Sequence, residues 1–317
     1  MGCSHVDLAS LYPILVVSTM TLAWRKYFKL FPKSKSNSQI MVNINASTDY
    51  SKRVPNRLIT KLGRFSWFRG IRSKIKKIPK TYKVQFSNIF FEDINTKHCL
   101  EQINNTSLYQ GFYLKQNLVD EIFNFAIDNE CIEPKTYKKF HALLYNNFPK
   151  SNYIYRGLVT NTHKCPAIDE VKFNYKAIEI ATKFLGYEPT NITQHLTWSL
   201  VVPESEHFIQ QNYPTTRWHY DVVGEESLTF NFYLTDVNND QEGPHQFISG
   251  SHKNLPWQLL FKPSSIRENT LDKYFPQQLK SSILGKSGYG FIENPLCLHR
   301  VKPPAMKPRL ILQLRYS

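Results

Sequence analysis

No two cysteines in this chain are spaced C-x-x-C, and the five present (Cys3, Cys99, Cys131, Cys165 and Cys297) are odd in number and scattered. A disulfide framework and a structural zinc site are therefore not indicated, and a reducing compartment, the cytoplasm, is expected. Internal repeats are absent. A long apolar run is missing as well. The longest candidate, residues 8–24, is only seventeen residues and contains Pro13 and several hydroxyls, the short limit for a membrane span. As a secretory signal it lacks a basic n-region, since Asp7 stands there, although Thr21-Leu22-Ala23 resembles a cleavage site. Met1-Gly2-Cys3 hints at acylation, but position 6 is Val6 where the myristoylation pattern requires Ser or Thr.

Acidic residues are nearly missing from one region. Residues 25–83 hold 17 Lys/Arg and a single acid, Asp49. Subtracted from chain totals of 40 bases and 25 acids, this leaves 23 bases against 24 acids elsewhere. The net charge of +15 thus belongs to an N-terminal extension, and the remainder is nearly neutral. A nucleic-acid partner is not expected from this distribution.

What is present supports one large domain with an appendage. The 317 residues are 41% hydrophobic and 14% aromatic, enough for a sizeable core and favouring strands. The division expected is an extension over 1–84 and a globular domain over 85–317. Within the extension, residues 33–57 are rich in Ser, Asn and Lys and read as a linker. Over 56–78, between Pro55 and Pro79, the residues Leu58, Leu62, Phe65, Phe68, Ile71, Ile75 and Ile78 recur at spacings of three and four. That pattern predicts a basic amphipathic helix. It suits either an anionic membrane surface or docking on the domain with a solvated basic back.

The domain opens with a short strand over 111–114. Helices are expected after Asn117 as N-cap, after Pro134, and from Asp169 to a stop at Gly186. From there the period changes to that of strands, expected over 192–202, 215–221, 227–236, 245–249, 288–292, 296–299 and 309–316. Residues 253–285 interrupt them with a Lys/Pro/Ser-rich insertion, a candidate lid or substrate loop. Helices followed by strands predict an α+β, mainly β, fold in which a helical layer packs on a β-sandwich or barrel.

One stretch carries chemistry: Arg217-Trp218-His219-Tyr220-Asp221. Residues two apart on a strand share a face, so an imidazole and a carboxylate point the same way. A second imidazole from downstream completes the two-His, one-carboxylate set suited to non-haem Fe(II). H-x-D alone is a frequent accident. Here Cys297-Leu298-His299-Arg300 lies downstream, and Arg309 follows ten residues after His299 at the start of an apolar final strand.

With Phe232-Tyr233-Leu234-Thr235-Asp236-Val237, Gly243-Pro244-His245 and Gly250-Ser251-His252-Lys253 following H-x-D in order, the chain resembles the phytanoyl-CoA dioxygenase-like family of Fe(II)/2-oxoglutarate oxygenases over residues 105–317. The resemblance implies a double-stranded β-helix (a jelly-roll, cupin-like fold). It also implies that His219, Asp221 and His299 bind Fe(II), with O₂ and 2-oxoglutarate as cosubstrates. Arg309 would pair with the distal carboxylate of 2-oxoglutarate, a task suited to a planar, permanently charged fork. The family often places a hydroxyl two residues after this Arg. Here Ile311 stands there, so Tyr233, Asn231 and Thr197 are the candidates for further contacts. Ser249 also departs, standing where a Pro is common. His195, His207, His245 and His252 are expected to be hydrogen-bonded or surface residues. The activity implied is hydroxylation of a C–H bond in a small-molecule or lipid-like substrate, and the intact carboxylate argues against a halogenase. A non-catalytic binding module on the same barrel and a cupin-type metalloenzyme that does not use 2-oxoglutarate are the alternatives. Oligomeric state is not encoded legibly.

Overall fold

The structure, a computed structural model, describes residues 62–75, 83–90, 92–142, 154–222, 226–260 and 264–317. All belong to one compact unit, Ser47–Ser317. The apolar stretch 8–24, the linker 33–57 and the acylation pattern at Gly2 and Cys3 lie outside the described residues. Among those described, no helix is long and apolar enough to cross a membrane.

The helices are α1 (Ser66–Ile75), α2 (Thr96–Thr106), α3 (Gln116–Asp128), α4 (Pro166–Lys172), α5 (Tyr175–Leu185), α6 (Glu206–Asn212), α7 (Trp257–Leu260) and α8 (Glu268–Leu271). The strands are β1 (Leu108–Tyr113), β2 (Cys131–Ile132), β3 (Lys139–Phe140), β4 (Arg156–Val159), β5 (Ile192–Ser199) and β6 (Leu228–Tyr233). They continue with β7 (His245–Ile248), β8 (Lys280–Ile283), β9 (Tyr289–Glu293), β10 (His299–Val301) and β11 (Arg309–Tyr316). Two antiparallel sheets result. The large one has the order β1-β9-β6-β11-β5-β4-β2-β3 and the small one β10-β7-β8.

β11 organises the large sheet, pairing with β5 on one side and β6 on the other. Its alternation divides the molecule. Leu310, Leu312, Leu314 and Tyr316 are fully buried in one cluster with Ile122 of α3, Val171 of α4 and Ile180 of α5. Each such leucine contributes about 2 kcal/mol by leaving water. Ile311, on the opposite face, packs with Phe247 of β7 and Ile283 of β8, so Arg309, Gln313 and Arg315 also look into the space between the sheets. The outer face of the small sheet is covered by a third cluster in which Trp218, Tyr220 and Leu298 meet Leu259, Leu271 and Phe275.

Several local expectations need correction. The helix expected over 169–186 is two helices, because the Asn174 side chain accepts from Lys176 N at 3.0 Å and caps α5 separately. Its stop at Gly186 is as expected, with φ of 76° in the left-handed region. Asn117 is not a cap, since α3 starts one residue earlier, after Lys115, which makes no side-chain cap bond. No helix follows Pro134 in the described residues. The Glu133 carboxylate instead gathers Lys135 N and the Thr136 hydroxyl into a turn, and Phe140 pairs with Cys131. The insertion 253–285 contains β8, a full member of the small sheet.

The amphipathic segment expected over 56–78 is helical over Ser66–Ile75. Residues 56–61 and 76–78 lie outside the described residues. It packs on the domain with its arginines inward: Arg69 Nε donates to Glu226 at 2.7 Å and Arg64 to the Leu260 carbonyl at 2.8 Å.

Candidate metal centre

His219 lies in extended backbone between two neighbours, bridged to His299 and to Ser265, without joining a continuous strand. His219 N donates to His299 O at 2.9 Å and His299 N returns a bond to His219 O at 2.8 Å. Two residues on, Asp221 N donates to Pro295 O at 2.8 Å. This pairing brings the two imidazoles to a centroid separation of 4.4 Å and sets His219 Nε2 3.7 Å from Asp221 Oδ1. One ligand atom from each of His219, Asp221 and His299 lies within 4.8 Å of the others.

The surrounding bonds select the chemical form of each group. His219 Nδ1 donates to Arg217 O at 2.7 Å, and His299 Nδ1 to Cys297 O at 2.9 Å. A backbone carbonyl can only accept, so Nδ1 carries a proton in both rings and Nε2 is the atom of each ring left to ligate. Burial, and then neighbouring His299, push His219 down to about 4, so this imidazole is neutral at pH 7. Burial alone would oppose ionisation of Asp221. Arg315, then His299 and His219, overcome it and hold the carboxyl well below the usual carboxylate range. Arg315 occupies Oδ2, which leaves Oδ1 facing His219. Two imidazole Nε2 atoms and one ionised oxygen, with bonds behind each, are a donor set that fits a divalent cation.

Glu293, Cys297 and His299 form a second group of close donors. It is a poor ligand set. Burial, then Glu293 and Asp221, raise the Cys297 thiol well above its usual range, and Glu293 is already bonded to His245 Nε2 at 2.7 Å. His245 stacks on His299 at 5.3 Å and so supports that ring from behind.

Arg309 is 2% exposed. It donates to the Gly243 carbonyl and, at 3.1 Å, to Ser199 Oγ, and it lies 5.9 Å over the Tyr233 ring. Among the described residues no carboxylate pairs with it, and its Nε has no partner. The buried Tyr155 hydroxyl lies beside Arg309 and Ser199. A buried guanidinium surrounded by neutral groups is costly, so the place fits an anion.

The other sequence candidates divide. Thr197 lies on the inner face of β5, opposite Ile311, and is buried. Asn231 is fully buried, accepts from Gln313 Nε2 at 3.2 Å and has an unpartnered Nδ2. Tyr233 does not offer its hydroxyl, which donates to Ile283 O at 3.0 Å and accepts from His245 N at 2.8 Å. Its ring also lies beside Arg309. His245 and His252 are hydrogen-bonded, the latter to Asn104 O at 3.1 Å, and His207 bonds Gln211 on exposed α6.

Sequence reasoning missed Arg315, Glu293, Ser199 and Tyr155. Arg315 was findable, because its parity on β11 is that of Arg309. The other three depend on which strands become neighbours.

Neither a protein-family model nor a curated protein matches the sequence. Solved structures with a similar course of the chain include AviO1 from Streptomyces viridochromogenes Tue57, 14% identical, covering 71% of this chain and 96% of that one at a TM-score of 0.44. The epimerase SnoN in complex with Fe3+, alpha ketoglutarate and nogalamycin RO is 14% identical, covering 70% and 83% at 0.49. HygX from Streptomyces hygroscopicus with nickel, 2-oxoglutarate and hygromycin B bound is 12% identical, covering 70% and 86% at 0.44.

Proposed function

We propose that this chain is an Fe(II)- and 2-oxoglutarate-dependent dioxygenase of the phytanoyl-CoA dioxygenase-like type, built on a double-stranded β-helix, that hydroxylates a C–H bond of a small-molecule or lipid-like substrate. The observation that carries the reading is the convergence of His219, Asp221 and His299 within 4.8 Å, each imidazole held with Nε2 inward. These three residues would hold Fe(II). Arg309, whose buried guanidinium faces no carboxylate among the described residues, would take the distal carboxylate of 2-oxoglutarate. Ser199 and Tyr155 stand where Ile311 leaves a hydroxyl wanting, and Thr197 and Asn231 line the same interior.

Bound iron with 2-oxoglutarate and O₂ supplies oxidative decarboxylation to succinate and CO₂ coupled to oxidation of a C–H bond. The chain supplies position. Asp221 stays ionised through Arg315, His299 is backed by the His245–Glu293 pair, and Ile311, Phe247 and Phe291 pack as an apolar cluster between the sheets. Succinate release on addition of Fe(II) and 2-oxoglutarate tests the reading, and His219→Ala must abolish it. Metal binding with no consumption of 2-oxoglutarate would instead indicate a cupin-type metalloenzyme. Absence of both would leave a binding module.

A further inference from the structure

α1 keeps Phe68 half-buried against the domain but leaves two large apolar side chains uncovered. Arg69 points into the domain at 9% exposure, where it bonds Glu226 and, at 2.9 Å, the Gly63 carbonyl. Trp67 and Ile71, one turn apart on the opposite side, are 49% and 38% exposed. Ser66 and Gly70, also exposed on this face among the described side chains, carry no charge. The hydrophobic effect alone would have turned this face inward.

The surroundings indicate what covers it. Arg64, at the head of the helix, bonds the carbonyl of Leu260 on α7, and α7 begins with Trp257, 67% exposed. Lys253 is exposed and makes no ion pair among the described residues. A cavity of about 230 Å³ opens under Trp67, lined among others by Arg64, Tyr220, Lys253, Leu260 and Leu296. The wider segment 25–83 carries 17 cations against Asp49 alone. An exposed indole and aliphatic side chain within a strongly basic stretch of sequence match the boundary of an anionic bilayer, where tryptophan settles at the headgroup level and each cation gains from the surface potential.

We infer that the outer face of α1, through Trp67 and Ile71, is a docking surface for an anionic lipid bilayer. Two side chains make the contact shallow, with the indole at headgroup depth and Lys253 at the edge of the cavity beneath it. Its readout is independent of the chemistry proposed at His219 and Asp221. Tyr220, the residue between those two, points away from them into the third core cluster and the cavity under α1.

Flotation of the full chain with phosphatidylcholine vesicles, with and without phosphatidylserine, tests this against a Trp67→Ser/Ile71→Ser variant. The two exposed positions make a folding defect easy to recognise from the melting temperature. The wild type should float with the phosphatidylserine vesicles and not with pure phosphatidylcholine. The variant, unchanged in melting temperature and in succinate release, should lose binding by about tenfold or more. Equal flotation of both proteins overturns the inference, because another segment would then be responsible. Failure of the wild type to float also overturns it, whether the chain self-associates through Trp67 or binds RNA instead. Should the variant fail to fold, Trp67 fluorescence in a chain lacking the other tryptophans takes its place. Quenching by bromine-labelled lipid then supports the docking surface, and an unquenched indole is the contrary result.

Discussion

Arg315 donates to Oδ2 of Asp221, and so the last strand of the sheet holds the one carboxylate of the candidate metal centre. Six residues upstream on the same face of that strand, Arg309 is buried against Ser199. Two arginines of equal parity thus differ in their partners: one meets a carboxylate of the chain, and the other meets none among the described residues.

Arg315→Gln leaves Asp221 free to turn and uncompensated. Metal affinity should fall by about 10- to 100-fold, the usual effect of removing a bond that orients a ligand. Anaerobic titration calorimetry with Fe(II) measures it. Unchanged affinity would show that Arg315 plays no part in the donor set.

Arg309→Met should act elsewhere. Half-saturation for 2-oxoglutarate should rise at least about 30-fold, since losing one partner of a buried charge pair costs about 2 kcal/mol or more. Metal affinity measured without 2-oxoglutarate should not move. A fall in metal affinity with no change in 2-oxoglutarate dependence would assign Arg309 a structural role only.

Glu293→Gln breaks the buried pair with His245. Urea unfolding at pH 7 should report a loss of about 3 kcal/mol. The sign with pH follows from the folded carboxyl: burial works against ionisation, but His245 and His299 bring it down to about 2. Because that is below its unfolded value, the stabilisation is full above about pH 4.3 and is lost as pH falls toward 2. The variant should lack this part of the acid dependence.

His195 predicts a second, separate pH window. Burial, and then Arg156 and Arg315, lower this imidazole from 6.5 to about 4. As pH falls the unfolded chain takes up the proton first, so stability declines between about 6.5 and 4, by at most about 3 kcal/mol for a residue that is only partly buried. His195→Gln should flatten that part of the profile in urea midpoints taken from pH 7 to pH 4.5. A slope equal to that of the wild type would place the effect on another group.

Much of this protein was legible from local pattern. The two-residue spacing of His219 and Asp221 holds in any extended backbone, so their shared direction needed no fold to predict it. The alternation of β11 marked Leu310, Leu312 and Leu314 as one buried face and Arg309 as an oddity needing an anion. Gly186 stopped its helix because only a residue without Cβ enters the left-handed region cheaply. Less legible were the breaks that depend on a side chain competing with the backbone, as Asn174 does between α4 and α5 and Glu133 does after β2.

The tertiary structure alone decided the rest. That His299 pairs with His219, that Arg315 reaches Asp221, and that Glu293 meets His245 are consequences of strand order, which brings together residues far apart in the chain. The orientation of α1 is the sharpest case. Its sequence period marked a stripe of which Leu62, Phe65 and Phe68 are half-buried, whereas Ile71 of that stripe and Trp67 beside it face outward and Arg69 turns in to Glu226. Periodicity reports which residues share a face. Which face is buried is decided by the surface it meets.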